Sequence, residues 1–157
     1  TGHLVYSTLH TGDAVGALDR MIGVFAAEEQ TSIRNQLSMV LRAVVAQRLL
    51  PAAGGSGRVP ATEILRINTA VAHLIRTGKP QQIYSSMELG STQGMQTMEQ
   101  GLADLVMRKL VDVEDARKLA RDERLFEERL RLRMQAGATP ARNHTNDGAG
   151  AMRRPVR

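Results

Sequence analysis

The sequence predicts an α/β fold in which a small mixed segment is followed by an all-helical module. Two short runs rich in β-forming residues, at positions 4–9 and 59–67, alternate with helical patterns in the first part of the chain. Beyond position 67, apolar residues recur every three or four positions, which is the spacing of amphipathic helices. The predicted organisation has three parts: an α/β portion over 1–67, a helical module over 68–135 and a disordered basic tail over 136–157.

The first predicted strand covers residues 4–9, whose sequence LVYSTL is largely apolar and suits a buried strand. A buried strand needs neighbours on both sides to satisfy its backbone groups, and the sequence offers no obvious candidates for them. The chain also opens on Thr1 rather than on a methionine. We therefore expect this chain to be the later part of a longer protein.

Two helices are predicted after this strand. Asp13 is expected to cap the first of them. Its apolar face comprises Ala14, Leu18, Met21, Ile22 and Phe25. The second helix is predicted to run from Ile33 to Leu49, because apolar residues keep helical spacing throughout, and Pro51 ends it.

A glycine-rich turn at residues 54–57 precedes the second predicted strand, which covers residues 59–67. Pro60 indicates an edge strand, since proline cannot donate a hydrogen bond to a neighbour. The same pattern leaves a second possibility open, in which Leu49 and Leu50 pair with this strand across the turn.

The rest of the chain is predicted to be helical. Asn68 or Thr69 caps the first helix of this module, and Gly78 with Pro80 ends it. Residues 121–135 are dense in charge and are expected to continue as a solvated helix. Between them, three further helices are predicted, over residues 81–89, over residues 95–110 and from Asp112 onward.

Composition and charge narrow the classes of function. The chain has no Cys, which excludes disulfides and thiolate metal sites, and it has no apolar run of the roughly 20 residues that span a bilayer. Of the net charge of +5, the four Arg and one Asp of residues 136–157 supply +3. A solvated tail is favoured over a nucleic-acid or lipid contact. Basic residues elsewhere are interleaved with acidic ones and aromatics are only 3%, so nucleic-acid binding is disfavoured.

Common catalytic motifs are absent from the sequence. Residues 54–58 have the glycines of a phosphate-binding loop but lack its Lys-Ser/Thr pair. Gly78 and Lys79 are followed by Pro80, which indicates the end of a helix. The chain contains neither a Gly-x-Ser-x-Gly elbow nor a His-Glu-x-x-His zinc signature.

His10 is the histidine with the most suggestive position, since it stands where a predicted strand ends and Thr11-Gly12-Asp13 leads into a helix. In open α/β sheets, ligands bind outside the carboxyl ends of the strands. The alternative is a turn histidine held by a backbone hydrogen bond. A metal shared with His3 is disfavoured, because seven strand residues place the two rings on opposite faces and about 23 Å apart. No metal site is predicted.

Five ordered segments resemble the secretion ATPase superfamily, and two of them resemble its PilT-type retraction ATPases in particular. Residues 1–11 (TGHLVYSTLHT) resemble the histidine-box strand of the superfamily. Residues 70–76 (AVAHLIR) resemble the Ala-Ile-Arg-Asn-Leu-Ile-Arg motif of the retraction ATPases, and residues 94–98 (GMQTM) resemble their Gly-Met-Gln-Thr-Leu. Weaker matches lie at residues 19–29 and 47–65.

The resemblance implies the C-terminal part of a RecA-like P-loop ATPase core followed by a helical module. Such proteins form homo-hexameric rings that bind ATP with Mg²⁺ between subunits. They act in the cytoplasm at the inner face of the bacterial inner membrane, where a pilus platform protein is the expected partner. The function implied is powering type IV pilus retraction in twitching motility. The family's Walker A and Walker B segments lie upstream of the histidine box, so this chain alone is expected to hydrolyse no ATP.

The resemblance also assigns the candidate site residues. His10 is expected to be catalytic, positioning the γ-phosphate, and His3 and His10 are the nucleotide-binding candidates. The retraction motif carries over at four positions: Ala70, Leu74, Ile75 and Arg76. For Leu74 and Ile75, plain helix core is the favoured alternative.

The retraction motif is incomplete in this chain. Ala72 stands where the family has Arg, and His73 stands where it has Asn. A divergent secretion-system ATPase therefore remains an alternative. The residues alone, without the resemblance, also allow a non-enzymatic helical adaptor, because the chain carries no phosphate-binding loop.

Overall fold

A computed structural model describes residues 2–138, with side chains described as far as residue 135. The described residues form seven α-helices and one antiparallel hairpin, joined by loops and two short 3-10 turns. The helices are α1 (Ala14–Gly23), α2 (Ala27–Val40), α3 (Thr69–Arg76), α4 (Ile83–Leu89), α5 (Met98–Met107), α6 (Val113–Leu119) and α7 (Glu123–Ala138), and the strands are β1 (Ala43–Pro51) and β2 (Arg58–Arg66). Helix α7 includes residues 136–138, the first three residues of the predicted tail. The rest of the predicted tail, residues 139–157, lies outside the described residues.

The predicted strand over residues 4–9 does not form in this structure. Residues 2–10 belong to no helix or strand, and their side chains are exposed, Tyr6 to 88%. A buried strand requires partners for its backbone groups. The two described strands pair with each other, and neither of them pairs with residues 2–10.

The prediction of one helix from Ile33 to Leu49 is wrong beyond Val40. There α2 ends, and the following residues form β1, whose register pairs Ala43 with Arg66 and Leu50 with Val59. The buried residues of β1 are Ala46 and Leu50. They are four apart, which fits the spacing of a helix and the alternation of a strand equally well. Pairing with β2 makes this segment a strand. The alternative in which Leu49 and Leu50 pair with the second strand across the turn is therefore confirmed.

The predicted turn and second strand are confirmed. Gly54, Gly55 and Gly57 all adopt positive φ, which glycine does without steric cost, and β2 follows at once. Pro60 lies on β2, one of the two strands that the described residues form, and both strands of such a pair are edge strands. On the other side of β2, the backbone groups of Ile64 and Gln96 exchange two hydrogen bonds of 2.8 and 2.9 Å.

The helix caps follow the sequence closely. Asp13 accepts from the Gly16 N–H at 2.7 Å and Asn68 accepts from the Val71 N–H at 2.9 Å, so both predicted caps are confirmed. Asp112 precedes α6 as predicted, but its side chain makes no capping bond. Phe25 was predicted on the face of α1. It lies beyond the end of that helix and is 40% exposed.

Two apolar clusters form the core, and each joins residues from both sides of the predicted boundary at position 67. Cluster 1 packs α1, α3 and α4 against one end of β2, and it comprises Ala14, Leu18, Leu65, Val71, Leu74, Ile75, Ile83, Met87 and Met95. Cluster 2 packs the other end of the hairpin against α5, α6 and α7, and it comprises Leu50, Ala61, Met98, Leu102, Ala103, Leu105, Val111, Ala116 and Phe126.

Helix α7 is more than the solvated helix that its charge predicted. Phe126 is fully buried in cluster 2, and Leu130 packs against the same cluster. The two residues are four apart, so they form a narrow stripe that faces α5. The high charge of the surrounding residues hid this stripe in the sequence.

Residues 94–98 connect the two clusters, and each of them has a definite place. Gly94 adopts a φ of 77°, Met95 enters cluster 1 and Met98 enters cluster 2. The side chain of Gln96 donates to the Thr62 carbonyl oxygen at 2.8 Å. Thr97 forms a reciprocal capping box with Gln100 at the start of α5. The helix predicted from position 95 therefore begins at Met98.

Glu63 is buried between the clusters, where it meets the first residues of two helices. Its carboxylate accepts the Ala14 N–H of α1 at 2.7 Å and also the Met98 N–H of α5. These amides and the positive ends of the two helices favour the charged carboxylate. Burial is the larger influence and raises the pKa of Glu63 above its usual value, and Asp13 and Glu99 act in the same direction.

We expect Gly101→Ala to destabilise the protein although alanine favours helices. A Cβ at position 101 would lie 2.8 Å from the carbonyl oxygen of Thr62, so α5 would have to move away from β2. The expected loss is about 1–3 kcal/mol in the free energy of unfolding. Gly23→Ala is the matched control, since nothing lies within 4 Å of its Cβ, and it should change stability by less than about 1 kcal/mol. Urea unfolding followed by circular dichroism measures both. Equal stabilities for the two variants would contradict the close packing.

The raised pKa of Glu63 predicts how its replacement should depend on pH. The folded state holds the proton of Glu63 to a higher pH than the unfolded chain does. The favourable contribution of Glu63 to the free energy of unfolding is therefore complete below about pH 4.3, the pKa of this group in the unfolded chain. It is lost as pH rises through the higher pKa that the group has in the folded state. Since glutamine cannot ionise, Glu63→Gln should gain stability relative to the original protein between pH 4 and pH 8.

Urea unfolding at the two pH values measures this difference. Glu128→Gln is the control, because it removes a carboxyl group from an exposed position of α7 rather than from a buried one. A stability difference for Glu63→Gln that stays constant across this range would refute the raised pKa.

Candidate functional site

The two histidines predicted to face a nucleotide lie on the exposed segment 2–10. Both His3 and His10 are exposed. Within the described part of the chain, no group of three or more metal-ligating side chains occurs. The assignment of His3 and His10 to nucleotide binding therefore remains a prediction from the resemblance.

Asp13, three residues after His10, precedes the first residue of α1. There Asp13 caps the helix and also accepts a hydrogen bond of 3.1 Å from the hydroxyl of Tyr84 on α4. Burial raises the pKa of the Tyr84 hydroxyl, and the negative charges of Glu63 and Asp13 raise it further. The hydroxyl therefore stays protonated and acts as a donor.

Tyr84 is held on its ring face as well as at its hydroxyl. The guanidinium carbon of Arg121 lies 3.4 Å from the centre of the ring, a cation–π contact. The backbone N–H of Arg121 in turn donates to the buried carboxylate of Glu99 at 3.2 Å. The start of α1 is thus tied through Tyr84 to the segment that precedes α7.

The retraction motif on α3 divides into buried and exposed positions. Leu74 and Ile75 are 8% and 3% exposed and belong to cluster 1, which agrees with the helix-core alternative. Ala70 and Arg76 are exposed. A guanidinium nitrogen of Arg76 lies 3.4 Å from Nδ1 of His73, one helical turn earlier on the same surface. A role of the motif in retraction is untested by this geometry.

A shallow groove of about 880 Å³ runs between α3 and α4. Its α3 wall carries the motif residues Ala70, His73 and Arg76. Its α4 wall carries Ser86 and Leu89, and Leu89 is 85% exposed. This α3–α4 groove brings the exposed half of the motif together with residues that the sequence did not single out.

Sequence reasoning missed Glu63 and Tyr84. Glu63 had a detectable signal, because it alternates with Ala61 and Leu65 and so places an acidic residue on the buried face of a strand. Tyr84 had none beyond the rarity of tyrosine in this chain, since its partners Asp13 and Arg121 are 71 and 37 positions away.

The described fold is that of the C-terminal part of a secretion ATPase, as predicted. It superposes with a TM-score of 0.72 and 42% sequence identity on a crystal structure of the pilus retraction motor PilT with bound ADP, covering 82% of this chain and 35% of that one. The chain belongs to the type II/IV secretion system protein family, whose family model matches residues 1–147.

Curated relatives agree with this assignment. The chain is 47% identical over 122 residues to a twitching motility protein of Neisseria gonorrhoeae, covering 78% of this chain and 33% of that protein. It is 44% identical over 121 residues to the type IV pilus retraction ATPase PilT of Pseudomonas aeruginosa, covering 77% of this chain and 35% of that protein. The chain thus spans about one third of the length of these relatives. No described helix is long and apolar enough to cross a membrane.

The division of the α3 motif predicts different consequences for its residues. Leu74→Ala should lower the free energy of unfolding by about 2–5 kcal/mol, the range for a buried leucine. Arg76→Ala is the matched change on the exposed side of the same helix and should cost less than about 0.5 kcal/mol. Urea unfolding of the two variants measures the difference. If Leu74→Ala were as stable as Arg76→Ala, Leu74 would not be core.

Proposed function

We propose that this chain is part of a hexameric ATP-hydrolysing motor that powers type IV pilus retraction. The observation that carries the proposal is the match to PilT, at 42–44% identity and with a TM-score of 0.72, over about four-fifths of the chain. Family membership favours this motor over a helical adaptor. The motor would work in the cytoplasm, at the inner face of the inner membrane, with a pilus platform protein as its partner.

ATP and Mg²⁺ are the cofactors of the proposed motor. Of the nucleotide-site residues, His10 would hydrogen-bond the γ-phosphate, and His3 is the second nucleotide-binding candidate on the same segment. Phosphoryl transfer depends mostly on positioning and electrostatic stabilisation, so a single well-placed donor matters. The chain contains no Gly-x-x-x-x-Gly-Lys-Ser/Thr loop, and the resemblance places the catalytic acidic residues upstream of the histidine box. Residues outside this chain would have to supply them.

The α3–α4 groove is proposed as the part that serves retraction rather than hydrolysis. Ala70, His73 and Arg76 are the exposed motif residues that line it, while Leu74 and Ile75 hold the helix in place from cluster 1. Because Ala72 and His73 depart from the retraction motif, a divergent secretion-system ATPase is the second candidate. Restoring the motif with Ala72→Arg and His73→Asn separates the two candidates.

A hybrid motor tests the proposal. This chain replaces the matching third of the P. aeruginosa retraction ATPase, and ring size, ATP turnover and twitching motility are measured. The hybrid should form rings, hydrolyse ATP and restore twitching, whereas this chain alone should release no phosphate. A hybrid that hydrolyses ATP but restores twitching only with Ala72→Arg and His73→Asn would favour the divergent ATPase.

Within this hybrid, His10→Ala should slow ATP turnover about ten- to a hundredfold, since one positioned hydrogen bond is worth about 1–3 kcal/mol. Arg76→Ala is the comparison variant and should reduce twitching while turnover stays near the original rate. Ring size and melting temperature check that both variants assemble. Unchanged turnover in a properly assembled His10→Ala ring would remove His10 from the nucleotide site.

A further inference from the structure

Tyr84 on α4 contacts the start of α1, next to the segment that carries His10. Its hydroxyl donates to Asp13 at the start of α1, three positions after His10. Its helix, α4, forms one wall of the α3–α4 groove, on which Ala70, His73 and Arg76 lie. The exposed segment that carries His10 and the groove are therefore joined by an unbroken series of contacts.

Asp13 lies where it would transmit a displacement of the segment that carries His10. One of its carboxylate oxygens accepts both the Gly16 N–H and the Tyr84 hydroxyl, at 2.7 and 3.1 Å. Its backbone carbonyl also accepts the Ala17 N–H at 3.2 Å. A shift of residues 10–13 would therefore strain either the first turn of α1 or the bond to Tyr84.

Tyr84 is in turn too firmly held to follow such a shift alone. Its ring packs against cluster 1 and is covered by the guanidinium of Arg121 at 3.4 Å. On either side of it along α4, Ile83 and Met87 are fully buried in the same cluster. Displacement of the hydroxyl would therefore displace the whole of α4, including the residues that form one wall of the groove.

We propose that Tyr84 is a positioning residue that couples the His10 segment to the α3–α4 groove through its hydrogen bond with Asp13. The coupling rests on the proposed function, in which the His10 segment belongs to the nucleotide side and the groove serves retraction. In such a motor it would connect the two mechanically. Spatial contact alone does not establish energetic coupling, which requires that a change at one end be felt at the other.

Amide hydrogen exchange on the chain itself tests the coupling without any motor. Tyr84→Phe removes only the hydroxyl, and it should speed exchange at Gly16 and Ala17 about fivefold or more, the scale of a coupling of 1 kcal/mol. Tyr6→Phe removes the same atom from an exposed tyrosine and is the matched control. Unchanged exchange at Gly16 and Ala17 in Tyr84→Phe would overturn the proposal.

A double-variant cycle separates coupling from general stabilisation. Asp13→Ser keeps a good helix cap but shortens the side chain that Tyr84 reaches. In the original background it should speed exchange of the α4 amides at residues 87–89, and in the Tyr84→Phe background it should have no further effect there. Additive effects of the two changes on these amides would overturn the coupling, because the signal would then bypass the hydroxyl.

The hybrid motor tests whether the coupling through Tyr84 affects motor function. Tyr84→Phe should reduce twitching at least tenfold while ATP turnover falls by less than about twofold, since the chemistry continues and its transmission fails. Equal loss of both would mark Tyr84 as a general stabiliser and overturn the coupling. If the unsubstituted hybrid does not restore twitching, the proposed function fails, and the exchange cycle still decides whether Tyr84 couples the two regions.

Discussion

The buried carboxylate of Glu63 is the constraint on which the arrangement of this fold depends. A carboxylate between two apolar clusters loses its hydration, and this cost has to be offset by hydrogen bonds. The available donors are the first amides of α1 and α5, which have no partner within their own helices. Glu63 therefore fixes where both helices begin relative to β2. The neighbouring residues Ala61 and Leu65 then enter different clusters.

The junction around Glu63 extends to α4 and to the segment that precedes α7. Asp13 and Tyr84 join the start of α1 to α4, and Glu99 holds the backbone before α7 through hydrogen bonds to Arg121 and Asp122. Polar groups at helix ends thus organise a structure whose aromatic content is small. With only two Phe and two Tyr, the clusters are filled mostly by aliphatic and methionine side chains, and polar contacts fix the register between them.

The division of the α3 motif shows how a short motif can serve two purposes. Residues three and four apart share a face of a helix, so Val71, Leu74 and Ile75 face cluster 1 while Ala70, His73 and Arg76 face the groove. Leu74 and Ile75 are buried in cluster 1, as the helix-core alternative expects, and Leu74 also lines the groove. The departures at Ala72 and His73 fall on positions outside the two clusters, and His73 lines the groove.

The sequence by itself determined the helix caps at Asp13 and Asn68, the glycine turn, the strand β2 and the family, because each of these depends on neighbouring residues or on ordered motifs. Tertiary structure alone decided the rest. Ala46 and Leu50 fit a helix as well as a strand until β2 pairs with them, and the sequence around Phe126 has the charge of a solvated helix until α5 covers this residue. The bond between Tyr84 and Asp13 joins residues 71 positions apart. The apolar run at residues 4–9 has the composition of a strand, yet a strand forms only where a neighbouring backbone supplies its hydrogen bonds.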